Sequence, residues 1–122
     1  MCKILLSINP EYVNQILNKT KIYEFRKVKC KKNIDNIVIY ATSPISRVVA
    51  EVKVEEILED MPENIWNITR EFSGITHEYF LEYYKNREKA IAYRLGKVKK
   101  YKTPKSLNEF GIKSAHQSFI YL

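Results

Sequence analysis

The sequence is poor in the residues from which metal and cofactor sites are built. Its 122 residues include two cysteines, two histidines and three glycines. Cys2 and Cys30 have neither a C-x-x-C spacing nor a histidine beside them, so we expect no zinc site and no disulfide framework. The glycine-rich phosphate loop, the dinucleotide fingerprint G-x-G-x-x-G and the zinc motif H-E-x-x-H are also missing. We therefore expect neither a metal nor a cofactor.

Long hydrophobic stretches are missing as well. No apolar run approaches the roughly 20 residues that a membrane-spanning helix needs, and residues 1–8 lack a signal-peptide cleavage pattern. The composition, with 45% hydrophobic and 29% charged residues, is typical of a globular protein. We therefore expect a cytoplasmic protein without membrane contact, formed by a single domain over residues 1–122.

The charge is unevenly distributed along the chain. The formal net charge is +7. Residues 19–32 carry seven basic residues and one acidic residue, and residues 85–105 carry nine basic residues and one acidic residue. Residues 51–82 instead carry nine acidic and two basic residues. Codon bias can raise the lysine content, but it cannot separate the charges in this way. The separation predicts a basic face suited to nucleic acid and an acidic face turned away from it.

Short apolar segments alternate with turn residues along most of the chain. The predicted strands lie at residues 3–8, 23–26, 37–41, 47–55, 90–102 and 116–122. The alternation of the fourth strand slips at Glu55 and Glu56, as a bulge or a strand end would produce. Asn9 and Pro10 have the properties of an N-cap and a first helical residue. Residues 60–86 combine helical periodicity with the acidic cluster, which predicts a helical insertion. Short, closely spaced strands predict an antiparallel barrel or sandwich.

The stretch after the first helix carries charged residues on one face of a predicted strand. Because side chains alternate along a strand, Tyr23 and Phe25 point one way and Glu24 and Arg26 the other. Lys21 precedes them. A lysine, a glutamate and an arginine fixed by a rigid strand indicate a ligand site; the alternative is an ordinary ion pair on an exposed face of the sheet.

These residues carry a family resemblance: the chain resembles a stand-alone ASCH domain of the PUA-like superfamily. The family signature, Gly-x-Lys-x-x-Glu-x-Arg after the first helix, is matched by Lys21, Glu24 and Arg26. Lys19 replaces the glycine, which puts strain on the helix-to-strand turn because lysine tolerates positive φ poorly. Further similar segments lie at residues 6–12, 40–44, 92–93, 104, 110–111 and 117–122.

The resemblance implies an α+β fold, a PUA-like and mostly antiparallel β-barrel of five or six strands with flanking α-helices. It implies that the signature residues line a cleft beside the barrel, facing the end of the last strand. It also implies a partner that is RNA or a nucleotide-like ligand. The oligomeric state is left open.

The leading hypothesis is an RNA-binding protein whose cleft takes an unpaired or modified nucleotide. Lys21 and Arg26 would hold a phosphate or a base edge, and Glu24 would orient Arg26 or accept from an exocyclic amine. The basic segments would hold further phosphates. At most two of the nine tyrosines are assigned to a ligand, by stacking on a base. Uncharged side chains would form further hydrogen bonds with the nucleotide, namely those of Ser43, Gln117 and Ser118.

The alternative is a small metal-independent hydrolase, either a ribonuclease or an acylated-nucleoside amidohydrolase, with Lys21 and Glu24 as catalytic residues. Small amidohydrolases that the chain resembles use a threonine nucleophile with a lysine and a glutamate. Here Glu24 occupies the nucleophile position, so Thr20, Thr42 or Ser43 would have to replace it. Binding is therefore preferred to catalysis. A third hypothesis, an adaptor that binds other proteins through the acidic insertion, is not supported by any specific sequence motif.

Overall fold

The computed structural model describes residues 2–114 and 119–122, which contain six strands and three α-helices. In chain order the elements are β1 (Lys3–Ile8), α1 (Pro10–Leu17), β2 (Tyr23–Arg26), β3 (Asn36–Ala41), β4 (Arg47–Asp60), α2 (Pro62–Thr69), α3 (His77–Tyr83), β5 (Ala90–Lys105) and β6 (Phe119–Tyr121). Two short 3-10 helices, Arg70–Phe72 and Leu107–Phe110, follow α2 and β5. None of the helices in this described part is long and apolar enough to cross a bilayer.

The six strands form one sheet in the order β2-β5-β4-β3-β1-β6, which curls into a half-barrel. β1 and β3 run parallel, and the other four neighbouring pairs are antiparallel. The expected α+β class, with six mostly antiparallel strands and flanking helices, is confirmed. The slip predicted at Glu55 and Glu56 is a bulge rather than a strand end, because the register shifts between Val54 and Glu56 and β4 continues to Asp60.

The buried apolar side chains of the described residues form three clusters, and the α-helices cover two of them. α1 covers one of them with Val13 and Ile16, which are 3% and 1% exposed. The helices of the insertion cover the other, where Phe80 of α3 packs edge-to-face on Phe25 with ring centroids 5.4 Å apart. Because Tyr23 shares this second core with Phe25, the aromatic side of β2 points into the insertion.

The connection from α1 to β2 determines how the signature residues are presented. Asn9 caps α1 by accepting a hydrogen bond from the backbone N–H of Glu11 at 2.9 Å, and Pro10 is the first helical residue, as expected. After the helix, Lys19 adopts a φ of +64°. The tight left-handed turn that favours glycine is therefore retained with lysine, at a cost of ~1–2 kcal/mol.

The insertion predicted at residues 60–86 is helical, with α2, a 3-10 turn and α3 between β4 and β5. Its central turn is joined to the start of β2 by a backbone hydrogen bond from Ile22 N–H to the Phe72 carbonyl at 3.0 Å. Residues 115–118, where the last strand was predicted to begin, lie outside the described residues. β6 pairs with β1 from Phe119 onward.

Candidate functional site

The charged face of β2 holds a buried ion pair. Arg26 donates to Glu24 Oε2 through Nε at 3.1 Å, and its Nη2 lies 2.9 Å from the same oxygen. Nη2 also donates to the Ser7 carbonyl of β1 at 3.0 Å. The Glu24 and Arg26 side chains are 10% and 17% exposed. The two residues share one face, as alternation predicted, but this face is enclosed by protein rather than open to solvent.

Lys21 is more deeply buried than either member of the pair, with 3% of its surface exposed. Its Nζ donates to the Ser73 carbonyl at 2.5 Å and lies 4.9 Å from the centroid of the Phe25 ring. Burial lowers the pKa of Lys21, and Arg26 lowers it further, while the Glu24 carboxylate opposes the change. The site therefore favours the neutral amine more than water does.

A glycine in the insertion makes this burial of Lys21 possible. Gly74 has a φ of +73°, and a Cβ added to it would lie 2.8 Å from the Lys21 Cγ and Cδ atoms and closer still to Gln15 Oε1. These separations are too short for any side chain. The chain can therefore close over the lysine stem at this point only because residue 74 has no side chain.

The signature residues line a cavity of about 200 Å³, referred to below as the β2 cavity. It lies between β2, the junction of β1 with α1, and α3. Besides Lys21, Glu24 and Arg26, the lining residues are Ser7, Ile8, Asn9, Tyr12, Phe25, Ile75, Tyr79 and Tyr83. Three charged side chains thus face a ring of aromatic and apolar groups, a composition found in small-molecule sites.

Three tyrosines form the aromatic side of the β2 cavity. Tyr79 makes an edge contact with Tyr12 at 6.3 Å between centroids and is nearly parallel to Tyr83, at 6.4 Å and 11°. Burial, followed by the neighbouring Tyr79, raises the pKa of Tyr12 to about 12, and burial raises that of Tyr83. Both hydroxyls remain protonated at neutral pH and can donate a hydrogen bond. Tyr79 is 49% exposed and forms the rim.

Of the three other residues predicted for this cavity, the structure describes only Ser43. Ser43 lies in the exposed turn after β3 and does not line it. Gln117 and Ser118 lie outside the described residues. Of the hydroxyls proposed to replace a nucleophile, Thr20 is exposed and donates to the Gln15 carbonyl at 3.2 Å, and Thr42 belongs to the turn that contains Ser43. Lys21, Glu24 and Arg26 are therefore the predicted residues that the described structure brings together.

Sequence reasoning missed the contribution of the insertion. The acidic segment was expected on the side turned away from nucleic acid, and its role in forming this cavity was not foreseen: α3 lines the cavity with Tyr79 and Tyr83. Three tyrosines line it, where at most two were assigned to a ligand. The available signal was the i, i+4 spacing of Tyr79 and Tyr83, which places both on one face of a helix. Within residues 2–114 and 119–122, no three His, Cys, Asp or Glu side chains are grouped closely enough to hold a metal ion.

Several known proteins resemble this chain in sequence. Residues 1–115 match the family described as Domain of unknown function (DUF365). The chain is 32% identical over 120 residues to ATP synthase subunit alpha of Ureaplasma parvum serovar 3, covering 98% of this chain and 15% of that protein. It is also 28% identical over 120 residues to large ribosomal subunit protein uL22 of the same organism, and this match covers 98% of this chain and 39% of that protein. The chain therefore spans less than half the length of either relative.

Proteins of Zymomonas mobilis resemble the chain in sequence and in fold. An ASCH domain-containing ribonuclease is 26% identical over 92 residues, which cover 75% of this chain and 62% of that protein. The crystal structure of ASCH from this organism superimposes with a TM-score of 0.89 at 23% identity, covering 98% of this chain and 87% of that one. Structures of a Tyr-to-Phe and a Ser-to-Ala variant match with the same score. This likeness confirms the PUA-like, ASCH-type fold.

Proposed function

This chain belongs to the DUF365 family and has the fold of an ASCH domain, and from this premise we propose that it binds RNA and takes one unpaired or modified nucleotide into the β2 cavity. The observation that carries the proposal is the composition of that cavity, in which three tyrosine rings surround a buried lysine and a buried ion pair. A relative named as a ribonuclease supports RNA as the ligand class.

The roles of the charged residues follow from how each is held. The Arg26 guanidinium is fixed by Glu24 and by the Ser7 carbonyl, so it presents a rigid donor to a phosphate or a base edge. Glu24 orients it and can accept from an exocyclic amine. Lys21 supplies a third donor from the floor of the cavity. Such fixed donors and acceptors suit the edge of an unstacked base better than a helical duplex.

The tyrosines supply a stacking surface. Tyr79 at the rim is half exposed, so an incoming base can reach its ring without rearrangement of the core. The cavity of about 200 Å³ has room for one base rather than for a paired one. Surface lysines in residues 85–105 would add attraction for neighbouring phosphates that does not depend on sequence.

The proposal is tested with a labelled single-stranded RNA oligomer and a blunt duplex of the same sequence, by fluorescence anisotropy at several salt concentrations. We expect tighter binding of the single strand and weaker binding as salt rises. Tyr79→Ala should weaken single-strand binding about tenfold or more, because stacking on an aromatic ring contributes ~1–3 kcal/mol per base.

Leu81→Ala is the matched control, since Leu81 lies on the same helix, is 56% exposed and does not line the β2 cavity. It should bind RNA as the unaltered protein does. Equal affinities of the Tyr79 and Leu81 variants would contradict the proposal, as would RNA binding that is insensitive to salt.

A second candidate is a metal-independent hydrolase, and the buried Lys21 is the observation that favours it. A lysine whose pKa is lowered by burial is a better proton acceptor in catalysis than an exposed lysine, because more of it is neutral at a given pH. In a ribonuclease, its neutral amine would take the proton of a ribose 2′-hydroxyl as that oxygen attacks the adjacent phosphorus. The bond from phosphorus to the 5′-oxygen breaks, and that oxygen takes a proton from water to leave as a 5′-hydroxyl. Arg26, held by Glu24, would stabilise the charge that develops on the phosphate.

This candidate is tested by incubating the protein with RNA and with an acylated nucleoside, with and without a chelator. A hydrolase of this type would give turnover in both conditions, and Lys21→Met would abolish it. Lys53→Met is the control, because Lys53 is an exposed lysine of β4 that does not line the cavity. No turnover of either substrate class would refute the candidate and leave the binding proposal unaffected.

A further inference from the structure

A second cavity lies on the other side of Arg26 and Tyr83. Its volume is about 320 Å³, and it is referred to below as the Phe119 cavity. Its lining residues are Leu6, Arg26, Lys27, Val28, Tyr83, Tyr93 and Phe119. Since Arg26 and Tyr83 also line the β2 cavity, these two side chains form a wall that both cavities share.

Two cationic side chains meet at the shared wall, and one of them is paired with Glu24. Lys27 is exposed and places its Nζ 4.7 Å from the centroid of the Tyr83 ring, so its ammonium group sits against the wall. Arg26 is held within the wall by Glu24 at 2.9 Å. Two positive groups therefore occupy the boundary between the cavities. No carboxylate of the described residues lines the Phe119 cavity, in contrast to the β2 cavity, where Glu24 does.

The Phe119 cavity is otherwise apolar and aromatic. Val28 lines this cavity and is 58% exposed, so its apolar side chain is accessible from solvent. Phe119 is half-buried and contacts Tyr121 edge-to-face, with ring centroids 5.1 Å apart. An apolar compartment with an aromatic ring and a cationic rim matches the chemistry of a nucleobase linked to a phosphate.

We propose that the Phe119 cavity binds the nucleotide next to the one in the β2 cavity, and that Lys27 and Arg26 hold the phosphodiester between them. The protein then recognises a dinucleotide step rather than a single base. This inference rests on the proposed function and extends it, because it assigns a second base site and a phosphate position on the wall. Two aromatic compartments separated by cations reproduce the alternation of base, phosphate and base along a single strand.

The test is an NMR titration of isotope-labelled protein with ribonucleoside 5′-monophosphates and with the dinucleotides UpU, CpC, ApA and GpG. The monophosphates should shift backbone signals of the β2 cavity, such as Ser7 and Tyr79. At least one dinucleotide should also shift Val28 and Phe119, and should bind about tenfold tighter than its monophosphate because a second base stacks.

Two pairs of variants separate the second base site from nonspecific effects. Val28→Glu places a carboxylate in the Phe119 cavity and should remove the dinucleotide advantage while monophosphate binding is kept. Ile68→Glu adds the same charge at a 56% exposed position of α2 outside both cavities, and should leave the advantage intact. Lys27→Gln should weaken binding of both the monophosphate and the dinucleotide. Lys53→Gln should weaken binding of neither.

The possible failures are distinguishable. If the dinucleotides shift only β2-cavity signals, or bind no tighter than the monophosphates, the inference is wrong and the proposed function stands. The same holds if Val28→Glu retains the full dinucleotide advantage. If neither kind of probe shifts the β2-cavity signals, the proposed function itself is wrong, and the inference fails with it.

Discussion

The molecule carries its positive charge in two different settings, inside the β2 cavity and along the second half of β5. Lys21 is 3% exposed, and the Arg26 side chain is 17% exposed and fixed by hydrogen bonds at about 3 Å. Four lysines of β5 are instead exposed on the strand, namely Lys97, Lys99, Lys100 and Lys102. The buried side chains are held in one conformation, whereas the exposed lysines can adopt many.

Under the proposed function, this difference in burial predicts that the cavity cations determine specificity and the exposed lysines general affinity. Burying Lys21 and the ion pair costs desolvation energy, which the fold recovers only through the contacts that surround them. Exposed lysines carry almost no such cost and attract any polyanion in a salt-dependent way. We therefore expect substitutions around the cavity to change stability and ligand selectivity, and substitutions along β5 to change only the overall affinity for RNA.

The largest effect is expected where the insertion closes over Lys21. In Gly74→Ala the left-handed φ alone costs ~1–2 kcal/mol, and the crowding of the new Cβ against Lys21 and Gln15 adds ~1–3 kcal/mol of overpacking. Gly111→Ala is a matched control, because Gly111 has a φ of +71° and no described atom within 4 Å of an added Cβ. The free energy of unfolding is measured by denaturant titration, and RNA binding by anisotropy.

Gly111→Ala should lose stability but keep RNA affinity, while Gly74→Ala should lose both. A Gly74 variant as stable as the Gly111 variant would show that the insertion does not hold Lys21 in place. The comparison between buried and exposed cations would then lose its structural basis.

The second-largest loss of stability is expected when the buried ion pair is broken, and breaking an exposed ion pair serves as the comparison. Glu24→Gln leaves the buried Arg26 without its carboxylate, and we expect a loss of about 1–3 kcal/mol, below the ~3–5 kcal/mol of a fully buried pair because Arg26 keeps its bond to Ser7. Glu59→Gln breaks the exposed pair with Lys29, which should cost at most about 1 kcal/mol. If denaturant titration showed that the two variants lose equal free energy of unfolding, burial would not distinguish the two ion pairs.

A smaller, pH-dependent effect is expected from Lys21. Its pKa is lowered in the folded state, so between that value and its ordinary value near 10.5 the unfolded chain binds more protons. The free energy of unfolding should therefore rise with pH through this window, by at most ~1.4 kcal/mol per pH unit for one proton. Lys21→Met should remove this contribution.

The measurement is the difference in unfolding free energy between the two proteins as a function of pH. Taking a difference is necessary because burial raises the pKa of Tyr12 and Tyr83, which acts in the opposite direction above about pH 10. A difference that is constant from pH 7 to pH 10 would mean that Lys21 stays charged in the cavity.

Much of this site follows from local rules that a sequence displays. Alternation along β2 placed Glu24 and Arg26 on one face, and Asn9 with Pro10 located the start of α1. The turn at Lys19 kept a positive φ even though glycine is missing, because a left-handed residue costs little compared with the contacts it permits. These features depend on neighbours within a few residues.

The remaining features depend on how distant segments meet. The helices of the insertion were predicted from their periodicity, but nothing local shows that α3 packs across β2 through the Phe25 and Phe80 rings. That packing brings Tyr79 and Tyr83 to the cavity and Gly74 onto Lys21. Composition was misleading here, because an acidic helix can present its acids to solvent and its tyrosines to the site.

The smallest effect per residue is expected from the exposed lysines of β5. Replacing Lys99, Lys100 and Lys102 by glutamine should lower the affinity for single-stranded RNA. It should also reduce the slope of log K against log salt by about 0.7 for each phosphate that the variant no longer neutralises. A double variant with glutamine at Lys53 and Lys113, exposed lysines outside the two basic segments, should keep the slope.

The same titrations with Tyr79→Ala complete the comparison, because that variant should lose affinity while its salt slope is unchanged. Preference for single strand over duplex should weaken in the Tyr79 variant and persist in the lysine variant. If the lysine variant lost this preference instead, the exposed cations would contribute specificity, and the division between a selective cavity and an unselective basic strand would be wrong. On the proposed function, the cavity cations owe their selectivity to burial rather than to the number of charges, since a buried charge is confined to one position.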